Sequence, residues 1–207
     1  MIYRKFYKTK IIETIKKDTL TEIITNGLVL SLHFDEGSGN IAYDSSGYNN
    51  HGKLVNGPTW VDGKFEKALS FDGVDDYVEI NNSPTLNPTN DGFTISFWMR
   101  LNRYVSPGAI IAKRTDLNNG YFVFISNTYM FFDWGGYTIS RWNTGFVPEL
   151  NRWYFIVLIQ NSSGRFLYVD GNLFSFTTNK GDTTLASTTA PLRIFADSAY
   201  ARYFNDG

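Results

Sequence analysis

The sequence contains no cysteine, which excludes disulfides, thiolate metal sites and a cysteine nucleophile. Histidine is almost as scarce: His33 and His51 are the only two, too few and too isolated for a zinc site without thiols. No apolar run reaches the length of a membrane span, and the N-terminus lacks the uninterrupted apolar stretch of a secretory signal. The net charge is -1 and the pI near 6.1, so the chain offers neither the basic field that nucleic acid demands nor a polybasic stretch for a lipid surface. Neither is expected as a partner. A phosphate-binding loop, a dinucleotide fingerprint and a Ser-His-Asp set are also missing.

What the chain has in quantity is aromatic side chains: 17 Phe, 13 Tyr and 5 Trp among 207 residues. Such rings suit a pleated, half-buried surface and favour β structure, and this length accommodates one sandwich domain. The charge is unevenly spread. Residues 1 to 25 hold six Lys and Arg against three acids, leaving 13 against 17 for the rest. Residues 1–26 therefore read as a basic N-terminal extension. Ile11, Ile12, Ile15, Leu20, Ile23 and Ile24 fit a helix, the Thr and Ile content fits a hairpin, and Asn26-Gly27 could close either.

From Gly27 onward the pattern is one of short strands. Leu28, Leu30, Leu32 and Phe34 alternate with Val29, Ser31 and His33. FTISFWMRL puts Phe93, Ile95, Phe97, Met99 and Leu101 on one face and Thr94, Ser96, Trp98 and Arg100 on the other. Strands are predicted over Gly108–Lys113, Tyr121–Ser126, Tyr129–Asp133 and Tyr137–Trp142, separated by Asn-Asn-Gly, Ser-Asn and Gly-Gly breaks. Trp153–Gln160 is apolar on both faces and is predicted to be central. Asp170-Gly171 signals a type I′ hairpin, whose two central residues need positive φ. PLRIFA supplies the last recognisable strand.

The blocks FDEGSG, DSSGYNNHGKL, ALSFDGVDDYVEI, FTISFWMRL, RWYFIVLIQNSSGRFLYVDGNLF and PLRIFADS, in this order from Gly27 to about Asn205, resemble the laminin-G-like branch of the concanavalin A-like lectins and glucanases. The resemblance implies an all-β, two-sheet antiparallel jelly roll, a structural calcium in many members, and an extracellular, cell-surface or virion setting. Two positions depart from it, Phe195 where members usually have Gly and Phe155 where they commonly have His. The family's closing strand, which lies beside the opening one, has no counterpart before Gly207. A strand left without that neighbour exposes a row of N–H and C=O groups. The expectation is that the chain is a fragment, that residues 1 to 25 fill the gap, or that an oligomer forms through this unpaired sheet position.

Calcium requires about six to eight oxygens from a yielding loop. Asp35, Glu36, Asp44, Asn49 and Asn50 are of the right type, and the resemblance places a metal in this region; a set of Asx turns that need no metal accounts for the same residues. Asp72, Asp75 and Asp76 form a second acidic group that reads as a hairpin turn. A glycan surface needs an exposed aromatic plane with polar neighbours that read hydroxyls. The candidates are Trp134, Tyr137, Arg141 and Trp142, with Asp197, Tyr200, Arg202 and Tyr203 after the last strand; core packing is the competing role for the tryptophans. Glycoside hydrolysis needs two placed carboxylates, yet Glu79 is alone on its strand, Glu149 follows Pro148 in a loop and Glu36 belongs to the calcium-type loop. The expectation is a non-catalytic carbohydrate-binding or adhesion module, with a structural or assembly domain that contacts other protein chains as the alternative.

Overall fold

The computed structural model describes residues 27–88, 92–116, 119–135, 140–178 and 188–197. The basic extension, Tyr137, Tyr200, Arg202 and Tyr203 lie outside the described residues. Among those described, two antiparallel sheets pack face to face, as the jelly-roll expectation requires.

The larger sheet comprises β1 (Ile41–Ala42), β2 (Gly52–Val55), β5 (Tyr77–Ile80), β7 (Gly108–Lys113), β8 (Tyr121–Ser126), β9 (Tyr129–Trp134), β10 (Arg141–Asn143) and β14 (Leu192–Ile194). Their spatial order is β1-β2-β5-β14-β7-β8-β9-β10. The smaller sheet runs β13-β12-β11-β6, with β6 (Phe93–Met99), β11 (Tyr154–Asn161), β12 (Gly164–Val169) and β13 (Asn172–Thr177). A hairpin of β3 (Thr59–Asp62) and β4 (Lys67–Ser70) stands apart from both.

Alternation explains which residues meet between the sheets. On β11, Tyr154, Ile156, Leu158 and Gln160 are buried while the residues between them are half-buried. On β6, Phe93, Ile95, Phe97 and Met99 join the same core as predicted. The Asp170-Gly171 turn has φ of +51° and +83°, the left-handed geometry that a type I′ hairpin demands. Lys113 ties the chain before β14 to the rest: its Nζ donates to Asn82 Oδ1, Thr188 O and Ala190 O. Burial pushes its amine down to about 8, because the charged form loses hydration.

The opening segment differs from the expected strand. Residues 28–34 form a single antiparallel bridge, Leu32 to Asp44, instead of a ladder. Side chains take the place of a partner strand: Ser31 N donates to Asp44 Oδ1, and Asn50 Nδ2 donates to Val29 O. Phe34 then turns into the left-handed region at φ 55°, which ends any extended run. Among the described residues no strand takes the outer edge of β6. Phe93, Ile95 and Phe97 are only half-buried although they face the core, and a cavity of about 100 Å³ separates Phe97–Arg100 from His33 and Phe34.

Candidate functional site

The acidic loop is organised around Asp44. Its Oδ1 accepts from the backbone N–H of Ser31 and Ser46, both at 2.9 Å, and its Oδ2 accepts from Ser46 Oγ at 2.7 Å and Asn50 N at 2.9 Å. Burial works against ionisation, but the hydrogen bonds from Ser46, Ser31 and Asn50 outweigh it and hold the carboxyl below its usual value. Asn50 is buried, and its amide bridges Val29 O and Thr85 Oγ1. Glu36 Oε1 accepts from Tyr43 N, while its Oε2 is buried without a hydrogen-bond partner. Asp35 and Asn49 are exposed. Three carboxylates converge at one place among the described residues, and it is Asp72, Asp75 and Asp76 rather than this loop. There Asp72 Oδ1 accepts from Val74 N and Asp75 N, and Asp76 Oδ2 accepts from Asp72 N, the bonding of the turn read from the sequence.

The tryptophan group is not an exposed plane. Trp134 is 2% and Trp142 9% exposed, and both belong to the core. The cause is register: Trp142 lies opposite Phe132, whose neighbours at Met130 and Trp134 face inward with it. Trp134 packs on Phe93, Tyr121 and Phe132. Arg141, one residue out of phase, lies opposite Asp133 on the other face and forms an ion pair with it at 3.1 Å. Burial raises the Asp133 carboxyl above its usual range, against the pull of Arg141. The Arg141 guanidinium also covers the rings of Phe124 and Phe131.

Asp197 is fully buried. It accepts from Arg114 in a two-pronged pair, Nε to Oδ1 at 3.0 Å and Nη2 to Oδ2 at 2.5 Å. Arg114 in turn lies 3.8 Å from the centre of the Phe122 ring. Asp197 is thus placed as a structural anchor, out of reach of a ligand.

An accessible combination of rings and polar groups lies elsewhere. An open groove of about 590 Å³ runs between the 145–154 connection and the start of β13. Phe146 meets Tyr154 and Phe174 edge to face, with ring centres 5.1 and 5.2 Å away, and Phe174 is 50% exposed. Arg152 stacks on Tyr154 at 4.6 Å and pairs with Glu149 at 3.3 Å and Asp170 at 3.6 Å. Asn172 completes the rim. The loop is held in shape by Tyr104 Oη donating to Pro148 O and Glu149 N donating to Tyr154 Oη. Asp170 is held by Phe155 N, which donates to its Oδ1. The sequence reading missed this groove because its wall is made by a bulge: between Leu167 and Tyr168 the β12–β13 register shifts, so Phe174 has no opposite partner and swings out.

A family model described as the concanavalin A-like lectin/glucanases superfamily matches residues 72–205. The chain belongs to this superfamily. Botulinum neurotoxin type C of Clostridium botulinum C phage is 28% identical to this concanavalin A-like domain over 177 residues, which is 76% of this chain but 13% of the toxin. The binding domain of botulinum neurotoxin DC, solved in complex with rat synaptotagmin II, superposes with a TM-score of 0.62 at 23% identity, covering 82% of this chain and 44% of that one. Domain 4 of AbnA, a GH43 extracellular arabinanase of Geobacillus stearothermophilus solved with arabinotriose, gives a TM-score of 0.66 at 15% identity, covering 86% and 87%. At these identities the structural matches establish the shared fold.

Proposed function

We propose that this domain is a non-catalytic binding module whose ligand is a neutral glycan held in the groove of Phe146, Tyr154 and Phe174. The observation that carries the reading is the exposed Phe174 face beside Arg152, Glu149, Asp170 and Asn172. An aromatic face takes the C–H side of a sugar ring, and the surrounding donors and acceptors take its hydroxyls. Two carboxylates against one guanidinium leave the rim with a net negative charge, which disfavours sialylated sugars. Both acids pair with the same Arg152, instead of flanking an open gap as hydrolysis requires. The arabinotriose complex of the fold relative supports a sugar as ligand.

Titration calorimetry with arabinotriose and other neutral oligosaccharides, and with sialyllactose as the anionic control, tests this. Binding to a neutral sugar, weakened about tenfold or more by Phe174→Ala or Arg152→Ala at unchanged Tm, is the expected result. A chain that binds none of them, or prefers sialyllactose, overturns the reading.

For the acidic loop we propose that Asp44 does its work without calcium. The groups around its carboxylate are N–H and O–H donors that engage both oxygens, so Asp44 fits a calcium cage poorly. The buried Glu36 Oε2 is left as one uncommitted acceptor in the loop, short of the roughly six to eight oxygens calcium takes. Any ion that binds the folded state raises Tm by mass action. Thermal unfolding in millimolar calcium and in chelator should therefore coincide, and a calcium-dependent rise of several degrees would restore the metal.

A further inference from the structure

Residues 29–34 and β6 run side by side with no described strand between them. Val29 lies at the Phe93 end of β6: its carbonyl accepts from Asn50 Nδ2, which also donates to Thr85 Oγ1. Tyr121, whose hydroxyl donates to the neighbouring Leu86 O, packs its ring on Phe93. His33 and Phe34 lie at the other end, where they wall one cavity with Phe97, Trp98, Met99 and Arg100. The two stretches therefore run in the same direction. Val29 O, Ser31 N and Ser31 O all point to the 44–50 loop, bonding Asn50 Nδ2, Asp44 Oδ1 and Ser45 N. Backbone groups alternate in direction along an extended chain, so those of Leu28, Leu30 and Leu32 point to the opposite side, where no described residue pairs with them. On β6, β11 occupies one edge and no described strand occupies the other. Leu32 is buried, and Leu30, Phe93, Ile95 and Phe97 are half-buried, a setting in which backbone N–H and C=O groups need partners.

We infer that residues 19–25, which lie outside the described residues, fill this gap as a strand that pairs with residues 28–34 on one side and with β6 on the other. Three observations point to this segment of the same chain. Asn26-Gly27 leads directly into residues 28–34, and Gly27 has φ of +80°, the left-handed conformation that the second position of a two-residue type I′ hairpin requires. A loop of two residues makes its flanking residues, Thr25 and Leu28, a hydrogen-bonded pair, and Leu28 is in phase with Leu30 and Leu32, whose groups face the gap. The return strand of a hairpin runs opposite to residues 28–34 and hence opposite to β6, so both new ladders are antiparallel. The segment TLTEIIT suits the place: five of its seven residues are β-branched and none is Gly or Pro, a composition that favours strand. The same register sets Ile23 opposite Leu30, whose side chain packs on the core. The inference is independent of the groove of Phe146 and Phe174.

Hydrogen exchange of the full chain, read by mass spectrometry of peptic fragments at about 5 and 100 μM protein, tests it. The fragment spanning Phe93–Met99 is expected to keep all its amides slow by about a hundredfold or more, instead of only the alternate ones that bond β11, and to do so equally at both concentrations. Ile24→Pro removes the N–H that faces β6, and Ile23→Pro the one that faces Leu30. Each should return the outward amides of that fragment to within about tenfold of the unstructured rate, while the amides joining β11 to β12 stay slow. Gly27→Val, which does not readily hold a positive φ, serves where a proline variant fails to fold. Fast exchange of the outward amides in the wild type overturns the inference. Protection that grows with concentration assigns the gap to a second copy and overturns it too, as does protection that survives all three substitutions.

Discussion

Replacing Asp197 by alanine is expected to lower the unfolding free energy by about 3–5 kcal/mol, a large part of the stability of a domain this size. Asp197 is fully buried and holds Arg114 by two hydrogen bonds. Arg114 is itself 4% exposed and lies against the Phe122 ring, so removing the carboxylate takes the two-pronged acceptor away from a buried guanidinium. The magnitude comes from the loss of that acceptor in a setting poor in water and not from the pair as such. The double variant Arg114→Met, Asp197→Leu, which removes both charges and keeps the volume, should recover most of the loss. Urea unfolding of the wild type, the single variant and the double variant measures all three values. A single variant within about 1 kcal/mol of the wild type would show that the pair does not anchor this part of the fold. Because Asp197 is placed in the interior, ligand binding by the folded variant should be preserved.

The second large effect is expected at Asp44. Asp44→Ala removes the acceptor of four hydrogen bonds and leaves the N–H groups of Ser31 and Asn50 in a buried setting without a partner. A loss of about 3 kcal/mol at neutral pH follows from bonds to a charged acceptor. Its pH dependence has a definite sign. The folded carboxyl lies below its usual value, so the folded state binds its proton less readily than the unfolded one. The stability it supplies is complete above the unfolded value of about 3.9 and is lost as pH falls through the folded value. The difference between wild type and Asp44→Ala should therefore shrink as pH falls below about 3.9. A difference that stays constant with pH would mean that the anion is not what the loop recognises.

Several features were legible in the residues because they depend on neighbours along the chain. Alternation identified the inward face of β6, and Asp170-Gly171 announced its turn through the φ values that only certain residues adopt easily. The turn role of Asp72, Asp75 and Asp76 could be read in the same way. The roles of Trp134, Trp142 and Asp197 could not. Which side of β9 and β10 faces the core follows from their pairing with each other and with β8, and the partner of Asp197 lies 83 positions earlier in the chain. The alternation Met130, Phe132, Trp134 was a usable signal for the burial of Trp134, since it continues one apolar face without a break.

The sequence alone determined the class of the fold, the inward face of β6, the Asp170-Gly171 turn and the absence of thiol chemistry, because these rest on residue type and local periodicity; the opening strand it predicted is a single bridge. The tertiary structure decided which aromatic rings meet solvent and which acids have partners. It withdrew Trp134, Trp142 and Asp197 into the interior and bound Asp44 to backbone donors. It also brought Phe146, Arg152, Tyr154 and Phe174 to one groove and left Val157, Ile159 and Phe176 outside the core. Those outcomes depend on register and on which sheet a strand joins, and a shift of one residue in register reverses every side chain of a strand.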